Sequence, residues 1–292
     1  MDRQKPLPTI GIIGGDKRQE YLAQILKEYG FGIITYGVSG NAYQTGSLRE
    51  LMKNSTVLAA PVPFTHNGKT IASLSEKADL DISSFLFFLR SDHIVCGGNL
   101  PECVKNHCES ENILFFDLLK NDRVAYLNAI ATAEGAIMEA CRLSPMNFHK
   151  NHSIVLGYGK CGSVLADRLK GMHSLVTVCA RSEKARTKAE ILGFYATDFE
   201  HLDQALAKAY FIFNTVPAPV LPEELLTLLP PQAVIVDIAS APGGVDYKAA
   251  SALGITSSLF LSIPGKTAPY ASAQILAKEL IHLYDKNKSC SF

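Results

Sequence analysis

The chain has 292 residues, of which 47% are hydrophobic and 19% charged, so it can form one large or two ordinary domains with a substantial core. Its 28 basic and 28 acidic residues cancel, which argues against a protein-wide nucleic-acid surface. The polar N-terminus lacks a signal-peptide core, and no apolar run reaches the roughly 18–20 residues of a spanning helix. We therefore expect a soluble cytoplasmic protein that binds neither nucleic acid nor a membrane.

The cysteines do not predict a metal site. Seven cysteines in a chain without a signal peptide predict reduced thiols. Cys96, Cys103, His107 and Cys108 are close in sequence, but they do not form two compact ligand pairs. We expect no metal.

The first half alternates short apolar runs with helical patterns. A helical stripe (Tyr21, Leu22, Ile25, Leu26 and Tyr29) separates the first two apolar runs. Near-continuous apolar strands are typical of a parallel sheet with helices on both faces. The pattern predicts a flavodoxin-like α/β substrate domain over residues 1–122. Its strands are expected in "TIGIIGG", "FGIITYG", "STVLAAPVP", "HIVCGG" and "NILFFDLL".

The second half repeats this alternation after a long helical stretch at about 122–143, which we interpret as a connector helix. Strands are expected in "SIVLGYG", "LVTVCA", "YFIFNTVP", "AVIVDIAS" and near 255–261. This predicts a second doubly wound domain of the Rossmann type over 123–292, with a cleft between the domains. The last helix, about 268–287, needs a surface to cover, and the first domain is one candidate.

A G-x-G-x-x-G motif follows the first strand of the second half and opens a helix, which is the context that a dinucleotide site requires. Gly157 allows the tight turn, Gly159 allows the backbone to approach a pyrophosphate, and Gly162 allows close helix–strand packing. The alternative is a glycine-rich turn without a ligand. The predicted cofactor contacts in this turn are Gly157, Tyr158, Gly159, Lys160, Cys161 and Gly162.

The end of the next strand carries a basic cluster where many dinucleotide sites carry an acid. An acid there bonds the ribose hydroxyls, whereas an arginine accommodates a 2′-phosphate. Arg181 stands 19 residues after Gly162, and Ser182, Lys184 and Arg186 follow it. We therefore favour NADP over NAD, the alternative being a solvated helix start.

The ends of the two following strands should also face the cofactor, because ligands of open α/β sheets lie beyond the carboxyl ends of the strands. Asp237 is open to two interpretations, a cofactor contact or a buried cap for the next turn. The predicted contacts are Thr215, Val216, Pro217, Ile238, Ala239 and Ser240.

Several motifs in a fixed order resemble the A subunit of dipicolinate synthase, from about residue 9 to about residue 285. They are "IGGDKRQ", "NAIATAEGAIMEA", "VLGYGKCG", "CARS", "NTVP", "VDIASAPGGVD" and "IPGKTAPYASAQIL". The resemblance implies an NADP-dependent oxidoreductase in the mother cell of a sporulating bacterium. It would oxidise dihydrodipicolinate, or its hydrated precursor, to dipicolinate.

The same resemblance implies two partners, which are a small dicarboxylate substrate and a flavoprotein-like B subunit. Whether the chain forms a homo-oligomer stays open. Asp16 and Arg18 are candidate substrate contacts, since an arginine fork can clamp a carboxylate. The alternative is that Asp16 caps a helix and Arg18 is solvated. Glu134 and Thr132 in the connector helix are the candidate catalytic residues, the alternatives being Glu139 or a plain helix-surface role.

Two other functions stay open at this point. One is a non-catalytic NADP-binding scaffold or sensor, because the sequence shows no obvious catalytic dyad. The other is a different NADP-dependent dehydrogenase, of the kind that resembles shikimate dehydrogenase. The first half lacks the lysine motif expected of that enzyme, which weighs against it.

Overall fold

The computed structural model describes residues 7–40, 43–75 and 79–289, and it divides into two compact units. The first unit consists of Met1–Ala125 together with Ala268–Phe292, and the second consists of Tyr126–Thr267. The second unit is therefore inserted, in sequence, between the two parts of the first.

The first unit contains a five-stranded parallel sheet in the order β2-β1-β3-β4-β5. This is the flavodoxin-like order, with its switch point between β1 and β3. The strands are β1 (Thr9–Ile13), β2 (Gly32–Tyr36), β3 (Val57–Ala59), β4 (Ile94–Gly97) and β5 (Leu114–Asp117). The helices between them are α1 (Lys17–Glu28), α2 (Leu48–Lys53), α3 (Ile82–Phe88) and α4 (Glu102–Ser110), and a 3₁₀ turn follows β5 at Leu118–Lys120.

The second unit contains a six-stranded parallel sheet in the order β11-β10-β9-β6-β7-β8. Counted from β6, this is the doubly wound order of a Rossmann domain, whose switch point lies between β6 and β9. The helix α5 (Asp122–Leu143) leads from the first unit into the second. The strands are β6 (His152–Leu156), β7 (Leu175–Cys179), β8 (Tyr195–Thr197), β9 (Ala209–Asn214), β10 (Val234–Asp237) and β11 (Thr256–Leu259). The helices are α6 (Lys160–Gly171), α7 (Glu183–Ile191), α8 (Asp203–Leu206), α9 (Glu223–Leu226), α10 (Tyr247–Ala252) and α11 (Ile263–Thr267), and α12 (Pro269–Ser289) ends the described chain.

Both sheets are buried on both faces, as parallel sheets require. The prediction of two doubly wound α/β domains, the second of the Rossmann type, is confirmed. Within the described ranges, the helices are too short or too polar to cross a membrane.

The helix α12 packs on α1 within the first unit. Leu22 and Ile25 of α1 share a buried cluster with Leu276 and Leu280 of α12. Nearby, the rings of Tyr21 and Tyr270 meet edge to face, with centroids 5.3 Å apart. Because burying one such aliphatic side chain contributes about 1.5–3 kcal/mol, α12 contributes substantially to the stability of the first unit.

Candidate nucleotide-binding site

The turn between β6 and α6 is shaped by two glycines. Gly157 has φ +93°, a conformation that favours glycine, and its N–H donates to the carbonyl of Cys179 at 2.8 Å. A Cβ atom at Gly157 would lie 2.4 Å from Oγ1 of Thr215, and one at Gly162 would lie 2.1 Å from the carbonyl oxygen of Gly157. The first turn of α6 is therefore packed directly against the end of β6.

Gly159 differs from its neighbours because a Cβ atom there would meet nothing within 4 Å. Gly159 is the N-cap of α6 and supplies no side-chain cap to the helix. The open space therefore lies at the uncapped N-terminus of a 12-residue helix. Free N–H groups and the helix dipole at such a position suit a pyrophosphate, so the residues present fit a dinucleotide.

The side chains in this turn contribute less than the backbone. Tyr158 packs edge to face on Phe194, at 6.2 Å between ring centroids, and burial raises the pKa of its hydroxyl. Burial also raises the pKa of the Cys161 thiol, which keeps it protonated. The Lys160 ammonium lies 5.9 Å from the ring centroid of Tyr126. Only Lys160 therefore offers this turn a charged side chain.

The end of β7 carries the predicted basic cluster. Arg181 and Lys184 are exposed, and Ser182 is the N-cap of α7, where its Oγ accepts from the N–H of Ala185 at 3.2 Å. Nη1 of Arg186 donates to the carbonyl oxygens of Ala180 and Arg181, at 2.9 and 2.8 Å. No pattern in the sequence indicates that Arg186 would hold the backbone of this turn.

A cavity of about 580 Å³ lies beside this turn. Asp198 lines it, but its Oδ1 accepts from Nδ1 of His201 at 2.7 Å, and this bond is the main reason that the pKa of Asp198 is lowered. Asp198 is therefore already paired with His201, Glu200 is a second acid in the lining, and the two arginines bring positive charge. The lining residues are Arg181, Arg186, Asp198, Phe199, Glu200, Pro219, Val220, Pro222 and Leu225.

The segment after β9 is fixed by hydrogen bonds to its own backbone and to β6. Oγ1 of Thr215 donates to the carbonyl of Leu156 at 2.8 Å, and the N–H of Val216 donates to Oδ1 of Asn214 at 2.9 Å. Thr215 and Val216 are half-buried and Pro217 is exposed. These contacts hold the three predicted residues at the carboxyl edge of the sheet, next to Gly157.

Asp237 is a buried structural cap, which is one of the two interpretations that the sequence left open. Its Oδ1 accepts from the N–H of Ala239 (2.9 Å) and from Nδ2 of Asn214 (3.0 Å). Its Oδ2 accepts from the N–H of Gly244 (2.7 Å) and from the hydroxyl of Tyr247 (2.8 Å). Burial and Asp237 together raise the pKa of Tyr247. The carboxylate thus organises the loop after β10.

Within that loop, the three predicted cofactor contacts differ in exposure. Ile238 is half-buried, Ala239 is buried and Ser240 is exposed. Ser240 alone of the three therefore presents an exposed polar side chain. The anchoring residues Asn214 and Tyr247 were not predicted, because a buried asparagine or a half-buried tyrosine has no local pattern in sequence.

The predicted catalytic residues lie away from these strand ends. Oε1 of Glu134 is 3.6 Å from Nε of Arg168, which stands eight residues, or about 12 Å, along α6 from its first residue. Oγ1 of Thr132 donates to the carbonyl of Asn128 within α5, at 3.0 Å. Both side chains have partners, and Glu134 lies beside the last turn of α6 rather than its N-terminus.

In the first unit, Asp16 and Arg18 bind each other. Asp16 caps α1 by accepting from the N–H of Arg18 (3.0 Å), and its oxygens also accept from Nε (2.9 Å) and Nη2 (2.7 Å) of that arginine. Nη2 of Arg18 donates to the carbonyl of Val62 as well. Burial opposes ionisation of Asp16, but Arg18 outweighs it and lowers the pKa of that carboxyl. Asp16 is thus a helix cap, while Arg18 is buried rather than solvated.

Potential metal ligands are scattered. In the part of the chain that the structure describes, His, Cys, Asp and Glu side chains do not gather in groups of three or more that would hold a metal ion.

Comparisons with known proteins agree with both units. Residues 9–119 match the N-terminal domain of the dipicolinate synthase A subunit. Residues 122–250 match the NAD binding domain of D-isomer specific 2-hydroxyacid dehydrogenases. A curated relative, the dipicolinate synthase A subunit of Bacillus subtilis (strain 168), is 27% identical over 288 residues, which cover 94% of this chain and 95% of the relative.

Solved structures give the same result. The dipicolinate synthase A subunit from Bacillus halodurans superposes with a TM-score of 0.84 and 25% identity, over 96% of this chain and 99% of that chain. A transhydrogenase from Sinorhizobium meliloti, at TM-score 0.67 and 14% identity over 95% of this chain and 93% of that chain, shares the fold. The resemblance predicted from the motifs is confirmed, and the second unit is a nicotinamide-dinucleotide-binding domain of the dehydrogenase type.

Proposed function

We propose that this chain, which along nearly its whole length resembles the A subunit of dipicolinate synthase, is an NADP-dependent oxidoreductase of dipicolinate formation. Its substrate is dihydrodipicolinate or the hydrated precursor. The ring loses a hydride and a proton across a CH–CH bond, which gives dipicolinate, NADPH and a proton; the hydrated precursor also loses water. When bound, the nicotinamide supplies the hydride acceptor.

The observation that carries this proposal is the open space at Gly159, in front of the uncapped N-terminus of α6. The backbone of Gly157–Gly162 would hold the pyrophosphate there, and Lys160 would add a positive charge. The segments after β9 and β10 would line the remainder of the cofactor. Those contacts are Thr215, Val216, Pro217, Ile238, Ala239 and Ser240.

The preference for NADP rests on the turn after β7. Arg181, Ser182 and Lys184 would take the 2′-phosphate, because a guanidinium fork and a hydroxyl both donate to phosphate oxygens. Replacing Arg181 by Asp should reverse the preference, since a carboxylate accepts from ribose hydroxyls and repels a phosphate. Calorimetric titration of wild type and Arg181→Asp with NADP and NAD tests this. Equal loss of both cofactors in the variant would contradict it.

Glu134 and Thr132 remain the proposed catalytic residues, with Glu134 as the acceptor of the proton. To take part in the reaction, Glu134 would have to break its ion pair with Arg168, and Thr132 would have to break its hydrogen bond to the carbonyl of Asn128. Aromatisation makes the oxidation strongly downhill, so alignment of the ring with the cofactor supplies most of what the chain must provide. Arg18 is proposed as a substrate carboxylate contact through those guanidinium N–H groups that do not already bond Asp16 or Val62.

We further propose that the chain works with a B subunit in the cytoplasm of the mother cell. Glu134 and Thr132 already have partners within the chain, and this observation favours one alternative, a non-catalytic NADP-binding scaffold for the B subunit. Absorbance of NADPH and of dipicolinate, followed with fresh dihydrodipicolinate and NADP, separates the two. Simultaneous appearance of both products supports the enzyme. Absorbance that does not change, with or without the B subunit, supports the scaffold.

A further inference from the structure

Arg186 holds the backbone of the turn that carries Arg181. Its Nη1 lies 2.9 Å from the carbonyl oxygen of Ala180 and 2.8 Å from that of Arg181, so one nitrogen bridges two consecutive carbonyls. These residues immediately precede Ser182, the N-cap of α7. The turn is thus tied to α7 at two places, by the guanidinium and by the Ser182 hydroxyl.

The guanidinium of Arg186 bonds the backbone of the turn and not a carboxylate. Asp198 lines the same cavity, but its Oδ1 is taken by His201 and by the N–H groups of Glu200 and His201. Within the described residues, Arg186 forms no salt bridge. Its charge therefore acts on carbonyl oxygens, which carry the negative end of the peptide dipole.

Those two carbonyls matter for an anion. Unpaired, they would present negative partial charge at the end of β7, where the phosphate of the proposed function binds. Bridged by a guanidinium, they are neutralised, and the backbone that positions the Arg181 side chain is fixed. We propose that Arg186 is a positioning residue that orders the Ala180–Ser182 turn and thereby sets the preference for a 2′-phosphorylated dinucleotide. This inference rests on the proposed function.

The first test compares Arg186→Met with Arg186→Lys. Methionine removes both the charge and the donors, whereas lysine keeps the charge but ends one bond short of the position of Nη1, which donates to both carbonyls. If Arg186 acts by holding the turn through Nη1, both variants should lower NADP affinity about tenfold and NAD affinity less than about twofold. Full recovery in Arg186→Lys would show that charge alone acts, and would overturn the proposal.

A double-mutant cycle then separates positioning from direct binding. If Arg186 acts through Arg181, Arg186→Met should cost little NADP affinity in a chain that already carries Arg181→Met. Additive losses would make Arg186 an independent phosphate ligand and would also overturn the proposal. Lys188→Met is the matched control, because Lys188 is exposed on the same helix and the change removes one positive charge.

Amide hydrogen exchange reports the turn without any cofactor. Arg186→Met should accelerate exchange at Arg181, Ser182 and Glu183, while Lys188→Met should leave these rates unchanged. If the wild-type protein selects NADP but exchange rates are unchanged in Arg186→Met, the proposed role of Arg186 is refuted while the cofactor proposal stands. Wild-type protein that binds NAD as tightly as NADP would instead refute the cofactor proposal, and the selectivity role with it.

Discussion

Gly162 stands so close to Gly157 that a Cβ atom on the former would lie 2.1 Å from the carbonyl oxygen of the latter. No carbon approaches a backbone oxygen so closely, so the space between α6 and the turn after β6 admits only hydrogen. The motif glycines therefore divide by role. Gly157 and Gly162 are required by the protein's own packing, and Gly159 is not.

Replacing Gly162 by Ala should destabilise the second unit by about 1–3 kcal/mol, because backbone atoms must shift to admit the methyl group. Gly171, at the other end of α6, has nothing within 4 Å of its Cβ position. Gly171→Ala should therefore be neutral or stabilise by up to about 1 kcal/mol. Urea unfolding of the two variants measures the difference, and equal stability would be inconsistent with the close approach at Gly162.

Replacing Gly159 by Val should leave folding intact, since φ is −81° and the Cβ position is open. Dinucleotide affinity should nevertheless fall by at least about tenfold, because the side chain fills the place proposed for the pyrophosphate. Calorimetric titration and thermal unfolding of one preparation report both quantities. An unchanged affinity in a folded variant would remove the main support for the proposed function.

The sequence predicts the fold class well, for physical reasons that are local. Apolar strands such as β6 and β10 are buried on both faces, so their composition alone indicates a parallel sheet. The glycine turn is equally local, since strand, turn and helix are adjacent in the chain. Within the run "STVLAAPVP", whose prolines are expected to stop the strand, β3 ends at Ala59. Pro61 and Pro63, which cannot donate to a ladder, follow it.

Replacing Tyr247 by Phe should lower the free energy of unfolding by about 1–3 kcal/mol, because Oδ2 of the buried Asp237 then keeps only the N–H of Gly244. Tyr195→Phe is the control, since Tyr195 is 66% exposed and its hydroxyl is not part of this network. Chemical unfolding at neutral pH measures both. Equal stability of the two variants would contradict a structural role for the Asp237 network.

The same tyrosine predicts a dependence on alkaline pH. Burial and Asp237 raise the pKa of Tyr247 in the folded protein, so its contribution is complete below the ordinary tyrosine pKa of about 10. The contribution is lost as the pH rises above that value toward the folded pKa. The stability difference between wild type and Tyr247→Phe should therefore shrink above about pH 10. A difference that grows there would reverse the assigned sign.

Replacing Asp16 by Asn should destabilise the first unit at pH 7 by at most about 3 kcal/mol, because it leaves Arg18 buried beside a neutral partner. Asp92→Asn is the control, because its pair with Arg90 is exposed and should contribute at most about 1 kcal/mol. Urea unfolding compares the two. Similar small losses would show that Arg18 does not depend on Asp16.

Acid should weaken the same pair. Since Arg18 lowers the pKa of Asp16, the stabilisation is present above the ordinary aspartate pKa of about 3.9 and is lost as the pH falls through the folded value. The difference between wild type and Asp16→Asn should therefore diminish below about pH 4. Unfolding measured at several acidic pH values, with a constant difference throughout, would argue against this linkage.

The contacts that the sequence does not reveal join residues far apart in the chain. Asn214 and Asp237 are 23 positions apart, and the residues next to them in sequence do not predict their hydrogen bond. Arg18 pairs within two residues, yet its burial depends on the segment after β3. Local patterns report which elements form, and the partners of buried polar groups follow only from the assembled sheet.

The packing of α12 on α1 has a consequence for synthesis of the chain on the ribosome. The helix α12 is made after the whole second unit, yet its residues Ala273, Leu276, Ala277 and Leu280 complete the core of the first. The nascent first unit therefore waits, with the α12-facing side of α1 uncovered, while about 140 intervening residues are translated. Chaperone association should be strongest during that interval and should end when the last helix emerges.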